Sequence, residues 1–107
     1  MWVFMSDSFL SIVAHEKEPA MLLVRARAEG DIERAFPEVE ATLDRQADYL
    51  YRAVIPRERV AQRLGELVST IGYPNFKNTV KEAERHDAYM DIWQTMYRLQ
   101  VSSRTEW

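Results

Sequence analysis

Met21-Leu22-Leu23-Val24-Arg25-Ala26-Arg27-Ala28 is the stretch on which the fold turns. Leu22, Val24, Ala26 and Ala28 alternate with Arg25 and Arg27, the period of two that puts one side of an extended strand into a core and the other towards solvent. Upstream, His15-Glu16-Lys17-Glu18-Pro19 is a polar break ending in proline. Before it, Trp2 to Met5 and Phe9 to Ala14 read as two short extended pieces, or as one strand bent at Ser6-Asp7. With a short turn between them, Phe9–Ala14 and Met21–Ala28 make an antiparallel hairpin.

Downstream, Gly30-Asp31 opens a short helix, with Asp31 placed to cap free N–H groups and Ile32, Ala35 and Phe36 on its apolar side; Pro37 ends it. Val39, Ala41 and Leu43 alternate with Glu38, Glu40 and Thr42, which predicts a strand with an acidic outer face. After a turn at 44–48, Tyr49 to Ile55 is rich in aromatic and β-branched residues and predicts another strand. Pro56 suits the first turn of a helix. Val60, Leu64, Leu67, Val68 and Ile71 then recur at helical spacing up to Gly72.

Pro74 interrupts that helix and holds Tyr73 extended. Beyond it the sequence predicts a short helix and then a longer one, or one helix bent between Thr79 and Glu84. At 100° per residue, Ala83, His86, Tyr89, Met90, Trp93, Met96, Tyr97 and Gln100 share a broad arc, with Asp87, Asp91, Gln94 and Arg98 opposite. Trp93 stands near the centre of the arc, so its truncation to alanine is expected to destabilise the fold by ~3–5 kcal/mol, as loss of a buried aromatic does. The element order predicts one α+β domain over residues 1–107: an antiparallel sheet of about four strands, a short helix, and two C-terminal helices segregated against the sheet.

Composition narrows the function classes. The chain has 107 residues, a formal charge of −3 and no cysteine. One globular domain of ordinary hydrophobic content fits that length. The negative charge argues against general coating of duplex DNA, which needs clustered Lys and Arg. Arg outnumbers Lys by 11 to 3, however, so a local basic face remains open. Arg25, Arg27 and Arg52 are candidates for such a face, with Phe9 or Tyr51 to stack bases beside them; solvated arginines on an ordinary outer face explain the same residues. Without cysteine there is no disulfide, thiol nucleophile or Cys-rich zinc site. His15 and His86 lack paired ligand spacing, so neither a metal nor another cofactor is expected. The opening Met1–Val13 lacks a basic region and is interrupted at Ser6-Asp7-Ser8, so it reads as structure rather than as a signal peptide. No stretch reaches the ~18 apolar residues of a membrane span, and the expected location is the cytoplasm.

Met1-Trp2-Val3-Phe4 with Asp7-Ser8-Phe9-Leu10-Ser11-Ile12-Val13, Tyr73-Pro74-Asn75-Phe76-Lys77, Arg85-His86-Asp87-Ala88-Tyr89 and Ile92-Trp93 together resemble a family of small bacterial proteins. The resemblance spans nearly the whole chain and implies no activity, cofactor or partner. Function has to come from the residues themselves.

Two sets of residues carry it. His86 and Tyr89 stand a helical turn apart with Arg85 beside them. Asn75 and Lys77 follow Pro74 at a helix start, where free N–H groups can receive an anion. An enzyme or ligand-binding domain for a phosphorylated or nucleotide-like compound would use Asn75, Lys77, Arg85, His86 and Tyr89. The plainer account has Asn75 capping the helix, Tyr73 and Phe76 stapling it, and His86 and Tyr89 edging the core. The second set is the apolar arc itself. Counting Ile92 and Leu99 it spans roughly 200°, twice what one sheet face requires. The preceding helix would cover the surplus, or a second protomer or a foreign protein would. Trp, Tyr, Met and Arg are enriched in interface cores. The sequence therefore points first to a small binding or regulatory protein without catalytic activity, acting through a protein–protein surface of Tyr89, Ile92, Trp93, Met96 and Leu99. Phage or mobile-element inhibitors of the anti-CRISPR type are compact, acidic chains of this kind.

Overall fold

A computed structural model of the chain describes residues 1–105. Its elements are β1 (Trp2–Phe4), β2 (Phe9–Ala14), β3 (Met21–Ala26), α1 (Asp31–Ala35), β4 (Thr42–Leu43), β5 (Tyr51–Pro56), α2 (Arg57–Ser69), a 3-10 turn (Lys77–Thr79) and α3 (Ala83–Thr105). The chain divides into two compact units, the first Met1–Gly72 and the second beginning at Tyr73.

The first unit is an α+β fold on one antiparallel sheet of five strands in the order β1-β2-β3-β5-β4. The fifth strand arises at the amino end, where the bend at Ser6-Asp7 makes two strands that pair with each other, Trp2 opposite Ser11 and Phe4 opposite Phe9. β3 lies at the centre, with Val24 opposite Ile12 on one side and Ala53 on the other. Its alternation holds in the packing: Val24 and Ala26 are fully buried, and Leu22 packs against the same cluster. That cluster joins Leu10 and Ile12 of β2, Ile55 of β5, Ile32, Ala35 and Phe36 at α1, and Val60 of α2. The strand stops at Ala26 rather than Ala28, and Arg27 beyond it donates to the Asp48 carbonyl oxygen.

Three local expectations are corrected. The strand expected from Val39 is only Thr42–Leu43. Backbone groups ahead of it are engaged elsewhere: the Val39 N–H donates to the Phe36 carbonyl at 3.0 Å, and the Ala41 N–H to the Glu33 carboxylate at 3.0 Å. Val39 and Ala41 still pack on the core, which is why their alternation looked strand-like. Asp31 does not cap α1, whose cap position is Gly30 at φ +87°, the left-handed conformation that glycine tolerates. And α2 buries only the near part of its stripe. Val60 is in the core with Leu64 against it, while Val68 and Ile71 are exposed.

In the second unit the alternative of two helices is the one formed. The 3-10 turn comes first, with no side-chain hydrogen bond capping it, so Asn75 does not serve as its cap. Tyr73 and Phe76 do meet, with ring centroids 5.9 Å apart, and Phe76 also stacks on Tyr89 of α3 at 5.9 Å. Trp93 is 49% exposed, so its place at the middle of the arc does not make it a core residue.

Candidate functional site

α3 is built on a run of 23 residues, and from Asp91 to Ser103 every one of them is exposed. Ile92 is 40% exposed, Met96 56% and Leu99 57%, and Tyr97 and Val101 join them. Trp93 stacks on Tyr97 one turn later at 5.5 Å and carries the Lys77 ammonium over its ring at 5.3 Å. Aromatic side chains one turn apart lie on the same side of a helix, which is why the Trp93 and Tyr97 rings meet. The result is a continuous strip of large apolar side chains open to solvent. Isolated exposed apolar residues are ordinary on a protein surface; a contiguous strip marks a site of interaction.

The five residues expected at an interface are thus found on one helix, Tyr89 half-buried under Phe76 and the other four exposed. Tyr97 and Val101 were not among them. Tyr97 is on the arc itself, and Val101 stands about five full turns from Ala83, at the same edge of it, so helical spacing was the signal that includes them.

The polar set is distributed differently. Arg85 donates to the Tyr89 hydroxyl oxygen at 3.4 Å and lies 3.9 Å from the Glu82 carboxylate. Lys77 is turned to Trp93, and His86 Nδ1 lies 4.0 Å from the Asp87 carboxylate. Asn75 is exposed. Lys77 therefore contributes to the aromatic strip, and Arg85 to a contact between helical neighbours. His15 is used locally: its Nδ1 accepts the backbone N–H groups of Lys17 and Glu18, both at 3.1 Å, and so shapes the turn between β2 and β3. Among the described residues, no group of three or more His, Cys, Asp or Glu could hold a metal ion. Nor is any described helix long and apolar enough to cross a membrane.

The basic face on the sheet is partly as expected. Ser11, Arg25, Arg52 and Thr42 follow one another across β2, β3, β5 and β4 in a single register row. Arg25 donates to the Ser11 hydroxyl oxygen at 2.7 Å. Its guanidinium and that of Arg27 both lie over the Tyr49 ring, at 4.5 and 4.0 Å. Tyr49 is buried beneath these contacts, and Tyr51, half-buried, packs against the core cluster. Phe9 is stacked on Phe4 at 4.6 Å.

No protein-family model, curated protein or solved structure matches this chain.

Proposed function

We propose that this chain is a small binding or regulatory protein that acts by docking another polypeptide along α3. The observation that supports the reading is the strip of Ile92, Trp93, Met96, Tyr97 and Leu99, every member of it exposed. Large aromatic and sulfur-containing side chains of this kind supply most of the energy of protein interfaces, because they bury much area for little lost rotamer freedom. A ligand-binding site would instead need polar groups converging on one point. Lys77, Arg85 and His86 are each engaged with a different neighbour, Trp93, Tyr89 and Asp87 respectively.

The test is Leu99→Glu. A charge desolvated in an interface core is strongly unfavourable, whereas at a solvated site it costs little. The variant is expected to keep the circular dichroism melt of the wild type and to lose its captured partners in pull-downs from the native host. A variant that keeps every association of the wild type would place function elsewhere.

A further inference from the structure

We infer, independently of the docking reading above, that the outer face of the sheet holds a phosphate group between Arg25 and Arg52. The five strands carry two charged residues in all, Arg25 on β3 and Arg52 on β5. Both are arginine, and the register sets them directly opposite each other on adjacent strands. Side chains so placed stand on the same face with Cβ atoms about 5 Å apart, where like charges repel. Leu22, Val24, Ala26 and Ile55 turn the other face to the core, so the two arginines belong to the outer one.

Neither charge is balanced within the chain. Arg27, Arg34, Arg59 and Arg63 of the same unit each hold a carboxylate, of Asp48, Asp31, Glu38 and Glu66 in turn. Among the described residues Arg25 and Arg52 hold none. Of the carboxylates in the adjoining segments, Asp48 is on Arg27 at 3.5 Å and Asp44 accepts the Gln46 N–H at 3.0 Å. Glu40, ahead of β4, is exposed and pairs with neither arginine, and the exposed Arg45 after β4 adds one more positive charge. Arg25 is also fixed in place. Its guanidinium donates to the Ser11 hydroxyl oxygen at 2.7 Å and lies over the Tyr49 ring at 4.5 Å, while its Nε is shut from solvent without an acceptor. Both arginines are half-buried, so their repulsion is screened less than at an open surface.

Phosphate is the anion that fits. A carboxylate has two oxygens in one plane and is filled by a single guanidinium fork; a phosphate directs oxygens to several sides and takes a fork from each arginine. Next to Arg52 in the same row stands Thr42, whose hydroxyl has no hydrogen-bond partner among the described residues and supplies a third donor. A bound dianion turns one repulsion into two attractions.

The test is titration of the full chain with sodium phosphate against sodium chloride at matched pH and ionic strength, followed by backbone amide NMR. The expected result is a saturable shift centred on Ser11, Arg25, Thr42 and Arg52 that chloride does not produce. Arg52→Gln should weaken binding about tenfold or more, since a charged fork is lost. Its melt without phosphate should be unchanged or raised, because the opposed charge is gone. Arg45→Gln removes the same charge outside the row and should leave binding within about twofold. If Arg52→Gln fails to fold, Thr42→Val replaces it and should weaken binding about threefold or more. Adenosine monophosphate separates the sources of the phosphate: tighter binding than orthophosphate makes the ligand a phosphate ester, and equal or weaker binding makes it the free ion. Shifts that do not saturate, that chloride reproduces, or that Arg52→Gln leaves unchanged overturn the inference.

Discussion

The carboxylate of Asp31, at the start of α1, accepts the backbone N–H of Phe9, at the start of β2, at 3.0 Å. Asp31 is 1% exposed, and its other oxygen takes the Arg34 guanidinium one turn along the helix. Arg34 in turn donates to the Asp7 carbonyl oxygen at 2.9 Å, so one aspartate and one arginine tie α1 to the corner between β1 and β2.

Asp31→Ala should therefore destabilise the first unit by roughly 1–3 kcal/mol, the cost of leaving the part-buried Phe9 N–H and the Arg34 guanidinium without their partner. Denaturant melts followed by circular dichroism check it. A midpoint unchanged from the wild type would mean that water reaches Phe9 N–H and that the link contributes little.

Gly30→Ala should cost about 1–2 kcal/mol, because the position is left-handed at φ +87° and an added Cβ would meet Arg34 Nη1 at 2.8 Å. In thermal unfolding its effect should exceed that of Gly65→Ala, where nothing lies within 4 Å of the added carbon and α2 gains a better helix former. Equal effects of the two substitutions would refute the conformational argument.

Glu38 and Arg59 form a two-pronged ion pair between the segment after α1 and helix α2, at 2.6 and 3.0 Å. The Arg59 hydrogen bonds hold the Glu38 carboxyl down from its ordinary 4.5 to about 2. A carboxyl lowered in the folded state stabilises it fully above the ordinary value, and that contribution is lost as pH falls from there through about 2. The pair is exposed and screened, so the effect on stability is small. A carbonyl-carbon NMR titration should find Glu38 still ionised at a pH where ordinary glutamates are protonated, and Arg59→Gln should return it to their range. An ordinary titration of Glu38 in the wild type would show the pair to be open in solution.

Trp93→Ala and Phe36→Ala should behave oppositely despite removing similar rings. Phe36 is fully buried, and its loss should cost ~3–5 kcal/mol. Trp93 is half-exposed with contacts to Tyr97 and Lys77, so its truncation should change monomer stability by about 1 kcal/mol or less. Urea melts at low protein concentration separate the two; a large loss with Trp93→Ala would place that ring in a core.

The sheet was legible because its signals are local. Alternation in β3 names Leu22, Val24 and Ala26 as one face whatever lies opposite, and Gly30 and Pro56 mark the starts of α1 and α2 by their own backbone constraints. The same locality misled at Val39 and Ala41, where alternate residues do face the core but the Glu33 carboxylate takes the N–H that a strand would have used. In α3 the sequence correctly placed Tyr89, Ile92, Trp93, Met96 and Leu99 along one arc, since 100° per residue is a property of the helix alone. It could not say which of them are buried, and put Trp93 in the core. Burial is a relation between two surfaces, and only the folded chain shows that residues 91–103 of α3 are left open to solvent. Asp31 shows the same division: its sequence position suited a helix cap, but the strand 22 residues earlier supplied the N–H that its carboxylate accepts.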